Sequence, residues 1–310
     1  DAAMYRAKET GRNNYQFFNK DISDAAQERL ALSTLLRGSL ARGEFSLHYQ
    51  PQIDVRDGRV IGFEALLRCH SAARGMIPPN VFIPILEDTG QIIAVGEWVL
   101  REACRWAAGL DCPEQTTPSV AVNISARQFR QPDLVEVVAA ALADTGLTAN
   151  RLELEITESC LLDAEDQLQT MERLKALGVQ LSIDDFGTGY SSLSYLKRFP
   201  VDRLKIDGTF VRDVADDPDD AAIVTTIIGL AKNLGMDVIA EGVETHGQVA
   251  FLLQQGCCEI QGYLIARPMP AQAVTAWWLE WRQQTFENPV LRQRSAGNGR
   301  STTPLDCRSP

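Results

Sequence analysis

The sequence predicts an α/β fold of the (β/α)8 barrel type, and three observations favour it. From residue 151 onward, short β-type apolar runs alternate with longer runs whose apolar residues recur at helical spacing. Three further strand-like runs lie upstream, which makes about eight strands over roughly 240 residues, the usual count and length of such a barrel. An open doubly wound sheet is the alternative, and the strand count and length favour the barrel.

The predicted strands justify this reading in chain order. They are 45–53, 60–68, 119–125, 151–157, 179–185, 202–207, 237–243 and 259–264. Segments 95–109, 163–177 and 220–235 have helical apolar spacing, and Gly235 is placed to close the last of them.

The two ends of the chain differ from this pattern. Residues 1–18 predict a helix and a short strand that are too few to fold alone, and an amphipathic helix over 21–40 predicts a helical linker at 19–37. Residues 285–310 contain few apolar side chains, which predicts a disordered tail. Because the first residue is Asp1 rather than Met, we expect a fragment of a longer protein.

Composition excludes several classes of protein. No apolar run approaches the roughly 18 residues of a membrane span, so no membrane segment is predicted in this fragment. The net charge of −11 argues against binding a nucleic-acid polymer, although a small phosphorylated ligand could bind through cations. The seven cysteines form no C-x-x-C pair and predict scattered free thiols, as in the cytoplasm. A membrane anchor further upstream is compatible with that location.

Polar side chains interrupt strands that should be almost entirely apolar. Strands of a barrel are buried on both faces, and an unpaired polar group there costs several kcal/mol. Most of these residues fall near the carboxyl end of their strand, where barrel enzymes build their active sites. The main ones are Glu64, Asn123, Glu155, Lys205 and Glu241.

The stretch LSIDDFGTGYSSL, residues 181–193, places two aspartates at the end of an apolar run. Successive strand side chains point to opposite faces, so Asp184 and Asp185 cannot both face inwards along a regular strand. We therefore predict that the strand ends there, with Gly187 and Gly189 allowing the turn. With the three glutamates, five carboxylates would meet at one opening. Such oxygen-rich clusters bind Mg²⁺, Mn²⁺ or Ca²⁺, and a carboxylate shared by two ions suits phosphoester hydrolysis.

Each of these residues also has a purely structural interpretation. Asp-Asp before Gly is often only a turn, and Lys205 could be the lysine of an edge strand. Asn123 could be a buried amide bonded to backbone. Glu153 is interpreted as structural because it lies deeper on the same face as Glu155. The three histidines show no metal-ligand spacing.

Several motifs together resemble the EAL domain, a family of bacterial phosphodiesterases that linearise cyclic di-GMP to pGpG. They are FEALLR (63–68), VNIS (122–125), LELEITES (152–159), 184–207, IAEGVET (239–245) and IQGYLIARPM (260–269). The resemblance covers about residues 38–284 and implies an EAL-type barrel and a homodimer. Residues 2–18 are similar to the last helix and strand of a GGDEF diguanylate cyclase domain. Hence we expect GGDEF and sensor domains upstream.

The resemblance implies a role for each matching residue. Its ligands for a first metal match Glu64, Asn123, Glu155 and Asp184, and the surroundings of a second metal match Asp184, Asp185 and Glu241. Lys205 matches a lysine that contacts the catalytic water, and Asp185 and Glu241 are both candidates for the proton acceptor. Positions near the ligand match Gln50, Arg68, Asp207 and Gln261, and loop-stabilising glutamates match Glu158 and Glu244. The implied cofactors are two Mg²⁺ or Mn²⁺ ions, with Ca²⁺ expected to inhibit.

Three functions are compatible with these residues. The first is an active cyclic di-GMP phosphodiesterase, and the second is a receptor that binds cyclic di-GMP without cleaving it. The third is a metal-dependent barrel lyase or enolase-like enzyme with Lys205 as its base. Every metal-ligand position of the family is filled here, which favours the phosphodiesterase. One departure is Cys69, where the family often has an aromatic residue.

Overall fold

The computed structural model describes residues 20–110, 117–158, 160, 164–188 and 196–287. Its helices are α1 (Lys20–Leu36), α2 (Pro79–Thr89), α3 (Ile92–Ala108), α4 (Ala126–Phe129), α5 (Leu134–Thr145), α6 (Ala164–Leu177), α7 (Gly208–Arg212), α8 (Pro218–Leu234), α9 (His246–Gln255) and α10 (Ala271–Glu287), with a 3₁₀ turn at Ala149–Arg151. Its strands are β1 (Phe45–Asp54), β2 (Arg59–Ser71), β3 (Gly75–Ile77), β4 (Ser119–Ile124), β5 (Leu152–Thr157), β6 (Gln180–Phe186), β7 (Arg203–Ile206), β8 (Asp237–Ala240), β9 (Glu259–Gln261) and β10 (Met269–Pro270).

Eight strands close into a barrel, which confirms the predicted fold class. Strands β2, β4, β5, β6, β7, β8 and β9 follow one another around the ring, and the pairing of β1 with both β9 and β2 closes it. These eight strands correspond to the eight predicted from the sequence. Strand β1 runs antiparallel to β9, whereas the pairs from β2 through β9 are parallel. The active-site end of the barrel is therefore the carboxyl end of its parallel strands.

The chain divides into two compact units, Asp1–Ser46 with Leu67–Val95 and Leu47–Leu66 with Gly96–Pro310. In the first unit, α1 buries Leu32 and Leu36 while Leu30 is exposed. The same helix forms an ion pair from Glu28 to Arg74. The helix predicted over 21–40 is confirmed in part, because the observed helix is Lys20–Leu36 and turns follow it. The role of segment 19–37 as a linker stays a prediction.

An aromatic cluster packs the second unit. Phe63 of β2 is completely buried and meets Trp106 of α3 edge-on, with ring centroids 5.3 Å apart. Trp106 in turn stacks on Tyr49 of β1 at 3.6 Å. Trp278 of α10 also contacts Phe63, and the Trp281 indole donates to the Gly58 carbonyl at 2.8 Å. Helix α10 is thus held to the β1–β2 hairpin by both apolar contact and a hydrogen bond.

Three sequence predictions need correction or lie outside the described residues. Helix α10 continues to Glu287, three residues into the segment predicted as a disordered tail. The predictions for residues 1–18 and 288–310 lie outside the described part. Cys258 is disulfide-bonded, so the prediction that all cysteines are free thiols is wrong for it. Among the described cysteines, Cys69, Cys104, Cys160 and Cys257 are buried free thiols.

Of the helices that the structure describes, none combines the length and apolar character needed to cross a bilayer.

Candidate active site

Lys205 lies at the centre of a group of carboxylates inside the barrel. Its side chain is only 1% exposed, and it sits on β7 between β6 and β8, so the edge-strand interpretation is wrong. The Nζ atom lies 2.8 Å from Glu155 Oε2, 2.9 Å from Asp184 Oδ1 and 2.8 Å from Glu241 Oε1. Glu64 Oε1 follows at 3.9 Å. Strands β2, β5 and β6 and the segment after β8 therefore each bring a carboxylate to one ammonium group.

The two adjacent aspartates reach the same opening through a β-bulge. Strand β6 pairs with β7 at Ile183–Leu204 and again at Phe186–Ile206, so one extra residue is inserted on β6. Asp185 has a φ of 52°, and among the described residues no other non-glycine has a positive φ. This left-handed conformation costs about 1 kcal/mol, and aspartate tolerates it better than most residues. The prediction that the strand ends at Asp185 is therefore wrong, because the strand continues through the bulge to Phe186.

The bulge brings carboxylates of three residues within one coordination distance. Asp184, Asp185 and Glu241 each offer an oxygen, and these atoms all lie within 4.8 Å of one another. Burial, followed by the charge of Asp184, raises the pKa of Asp185 to about 7. Burial also raises the pKa of Glu241 to about 8, against the opposing effect of Lys205. These shifts show that the negative charges in the cluster are not fully compensated by the surrounding protein.

Burial has opposite effects on the two innermost groups. It raises the pKa of Glu155 well above the ordinary value, and the charge of Lys205 only partly counteracts this. For Lys205, burial disfavours the charged form, but Asp184, Glu155 and Glu241 outweigh it and raise the pKa. Lys205 therefore stays positively charged among these carboxylates.

A chain of amides holds Glu64 on both of its oxygens. Asn123 Nδ2 donates to Oε1 at 2.7 Å, and Gln261 Nε2 donates to Oε2 at 2.5 Å. Gln261 also donates to Gln50 Oε1 at 3.1 Å, and its own Oε1 accepts from Gln52 Nε2 at 2.9 Å. We call Gln50, Gln52 and Gln261 the glutamine relay. Gln52 is fully buried and was not predicted, although its spacing of two from Gln50 places both on one strand face.

The remaining predicted residues differ in where they lie. Asp207 caps α7 by accepting from Thr209 N at 2.8 Å, and after burial and Asp184 its carboxylate also raises the pKa of Asp185. Glu158 Oε2 accepts from Gly187 N at 3.2 Å, directly after the bulge.

Glu244 and Arg68 are the other two predicted residues. The Glu244 side chain is exposed, and within the described part of the chain no hydrogen bond or ion pair is found for its carboxylate. Arg68 belongs to the other compact unit, where its Nη1 donates to the Leu67 carbonyl at 3.0 Å.

The donor set suits divalent cations. Among the described residues both oxygens of Glu155 and Oδ1 of Asp184 are buried and accept no hydrogen bond, although the Lys205 ammonium forms ion pairs with both carboxylates. Buried carboxylate oxygens without a donor are costly unless a cation neutralises them. Carboxylate and amide oxygens are the ligands of Mg²⁺ and Mn²⁺. The residues present therefore fit hard divalent ions.

Comparison with known proteins gives a consistent family. The model of the EAL domain family matches residues 33–268. MucR of Pseudomonas aeruginosa, a bifunctional diguanylate cyclase/cyclic di-GMP phosphodiesterase, is 48% identical over 281 residues, covering 89% of this chain and 40% of MucR. The cyclic di-GMP phosphodiesterase PdeR of Escherichia coli is 40% identical over 284 residues, covering 90% of this chain and 42% of PdeR. The chain thus spans about two fifths of the length of these relatives.

A solved structure supports the same relationship. The PaMucR phosphodiesterase in complex with c-di-GMP is 47% identical and superposes with a TM-score of 0.76. The match covers 79% of this chain and 99% of that one.

Proposed function

This chain belongs to the EAL domain family, and from that premise we propose that it hydrolyses cyclic di-GMP to linear 5′-pGpG with two Mg²⁺ or Mn²⁺ ions. Relatives that match its sequence are named cyclic di-GMP phosphodiesterases, and a related structure contains c-di-GMP. The reaction would end cyclic di-GMP signalling. A homodimer, a cytoplasmic location and upstream GGDEF and sensor domains belong to the same proposal.

The proposal rests mainly on the convergence of five carboxylates around Lys205. A receptor that only binds a cyclic dinucleotide has no need for so many buried acids, because each carries a large desolvation cost. A phosphodiesterase needs them, because two bound ions lower the pKa of a water and neutralise charge on the scissile phosphate. The cluster is made of Glu64, Glu155, Asp184, Asp185 and Glu241, which come from three strands and the segment after β8.

Individual residues have distinct roles in this proposal. Glu64, Asn123, Glu155 and Asp184 would hold one ion, and Asp184, Asp185 and Glu241 the other. The Nζ of Lys205 reaches three of the carboxylates, so it would orient the attacking water and offset developing charge at the phosphate.

Other residues would support this centre. Asp185 and Glu241 both have a raised pKa and remain the two candidates for the proton acceptor. Glu158 would steady the segment after the bulge through its bond to Gly187 N. Gln50, Arg68, Asp207 and Gln261 are proposed to lie near the ligand, and Glu244 to stabilise the following loop.

The test is a turnover assay with a matched pair of variants. Purified chain is incubated with cyclic di-GMP and Mg²⁺ or Mn²⁺, and pGpG is followed by chromatography. We expect pGpG to appear with either ion and to be suppressed when Ca²⁺ replaces it. Glu64→Ala should abolish turnover, whereas Glu172→Ala, which removes an exposed glutamate of α6, should leave it unchanged.

Two results would contradict the proposed activity, and a third would contradict the role of Glu64. Tight binding of cyclic di-GMP without product would identify a receptor instead. Neither binding nor product would favour another metal-dependent barrel chemistry. Wild-type turnover by Glu64→Ala would remove Glu64 from the mechanism.

A further inference from the structure

A polar cavity lies at the opposite end of the barrel from the carboxylates. Its volume is about 250 Å³, and its lining includes Arg59, Ser119, Gln180, Arg203 and Glu259, which begin β2, β4, β6, β7 and β9. Parallel strands start at one rim and end at the other, so this cavity opens at the amino ends of the strands. It is therefore separate from the site proposed for cyclic di-GMP.

The floor of the cavity is a buried ion group. Arg203 Nη1 lies 2.7 Å from Glu153 Oε2, and its Nη2 lies 3.1 Å from Glu259 Oε2. Glu153 is 1% exposed, and Arg203 and Glu259 are each 12% exposed. Arg203 and Lys205 are two residues apart on β7 and so share its inner face. The ion group thus forms a layer between the cavity and the carboxylates around Lys205.

Polar atoms without a hydrogen-bond partner lie in the ion group and beside it. Within the described residues the buried Nε atoms of Arg59 and Arg203 make no hydrogen bond, and neither do Glu153 Oε1 and Glu259 Oε2. An unsatisfied buried polar atom costs about 1–3 kcal/mol, so this end of the barrel favours a polar ligand or water.

Arg151 adds a positive charge that no described carboxylate pairs. Its guanidinium donates to two backbone carbonyls, of Pro118 at 3.1 Å and of Ala107 at 2.8 Å. Within the described residues no carboxylate forms an ion pair with it, whereas Arg59 and Arg203 each have acidic partners. A guanidinium that lines a polar cavity is a binding group for phosphate or carboxylate.

The rim of the cavity is open and polar. Thr117, Thr148 and Asn150 line it and are exposed to solvent. They offer hydroxyl and amide donors around the entrance. Among the described lining residues Glu259 is the one carboxylate, and it is paired with Arg203 rather than with Arg151.

We propose that this cavity is a binding site for a small oxyanion of phosphate or carboxylate type, either free or carried by a metabolite. The anion is held by the guanidinium of Arg151, and Arg59 adds the positive charge of a second arginine to the lining. Because the protein as a whole carries a net charge of −11, it repels anions, so anion binding would have to come from the local arginines of this cavity.

The test is calorimetric titration of the full chain, without divalent ions and at constant ionic strength. The probes are inorganic phosphate, acetate and glycerol 3-phosphate. We expect saturable binding of at least one probe. Tighter binding of glycerol 3-phosphate than of phosphate would identify a phosphorylated metabolite as the ligand class, and preference for acetate a carboxylate. Arg151→Gln should weaken binding about tenfold, because a charge-assisted hydrogen bond is lost.

Two further variants make the result decisive. Asn150→Asp adds a negative charge at the exposed rim without removing a structural hydrogen bond of Arg151, and it should also weaken binding about tenfold. Arg130→Gln is the matched control, since Arg130 is exposed, donates to the Ala126 carbonyl at 3.0 Å and lies beyond the carboxyl end of β4. Absence of saturable binding, or equal binding by Asn150→Asp and the unaltered chain, would overturn the proposal.

Discussion

Replacement of Lys205 by methionine tests the electrostatic core of the site. The ammonium lies within 2.9 Å of three carboxylates and is 1% exposed, so methionine would fill its volume but leave those acids without their cation. Breaking a buried ion pair by removing one partner costs about 3–5 kcal/mol. We therefore expect the metal-free variant to lose about 3 kcal/mol or more of its free energy of unfolding.

The loss of unfolding free energy in Lys205→Met should be smaller when divalent ions are present. If the acids are metal ligands, Mn²⁺ would supply the missing positive charge, and the difference between Lys205→Met and the unaltered chain should shrink by at least half. Urea unfolding followed by circular dichroism, with and without Mn²⁺, measures this. Turnover of cyclic di-GMP should be lost in the variant under both conditions, because the ions do not replace the ammonium group proposed to orient the attacking water.

Lys175→Met is the matched control for this experiment. Lys175 Nζ lies 2.7 Å from Asp202 Oδ2, but the two side chains are 28% and 38% exposed. A pair exposed to this degree contributes at most about 1 kcal/mol, so this variant should change little with or without Mn²⁺. Equal, small losses in both variants would refute the argument that Lys205 compensates the acids.

Three other predictions follow from particular contacts and shifts. The raised pKa values of Asp185, to about 7, and Glu241, to about 8, mean that the folded chain binds more protons than the unfolded chain above about pH 4. The metal-free free energy of unfolding should therefore fall as the pH rises from 4.5 to 8, and Mn²⁺ should stabilise most at the upper end; a flat urea-unfolding profile would contradict this. Gln52→Met removes a donor of the glutamine relay, so calorimetry should show Mn²⁺ binding about tenfold weaker, with turnover recovering at high Mn²⁺; unchanged affinity would exclude a positioning role. Gly262→Ala would place a Cβ 2.1 Å from a backbone carbonyl oxygen, so it should lower the free energy of unfolding by about 3 kcal/mol or prevent folding. Its control, Gly229→Ala, lies in open space on α8 and should raise the free energy of unfolding by about 0.5–1 kcal/mol in the same assay.

The barrel could be predicted because alternation of strands and helices is a local property of the sequence. The reversed direction of β1 could not, because a side-chain period of two is the same for a parallel and an antiparallel strand. The short strands β3 and β10 and the short helices α4 and α7 carry too few residues for periodicity to be measured.

The candidate site shows the same division. Glu64, Glu155 and Lys205 stand out because they interrupt apolar strands, so their inward position could be expected. The glutamine relay depends on which residues face each other across β1, β2 and β9, and that register is set by the whole barrel. The left-handed backbone of Asp185 is equally hidden, because it arises from the bulge between β6 and β7.

The net charge of the carboxylates and Lys205 indicates how many divalent cations would balance them. Glu64, Glu155, Asp184, Asp185 and Glu241 contribute five negative charges when ionised, and Lys205 contributes one positive charge. The remainder of four negative charges equals the charge of two divalent cations, whereas a single ion would leave two negative charges in a low-dielectric barrel. Without ions, protons have to relieve the repulsion, and burial and neighbouring acids accordingly raise the pKa of Glu155, Asp185 and Glu241. The raised pKa values and the proposed pair of ions thus have one physical origin, because each reflects negative charge that Lys205 alone does not balance.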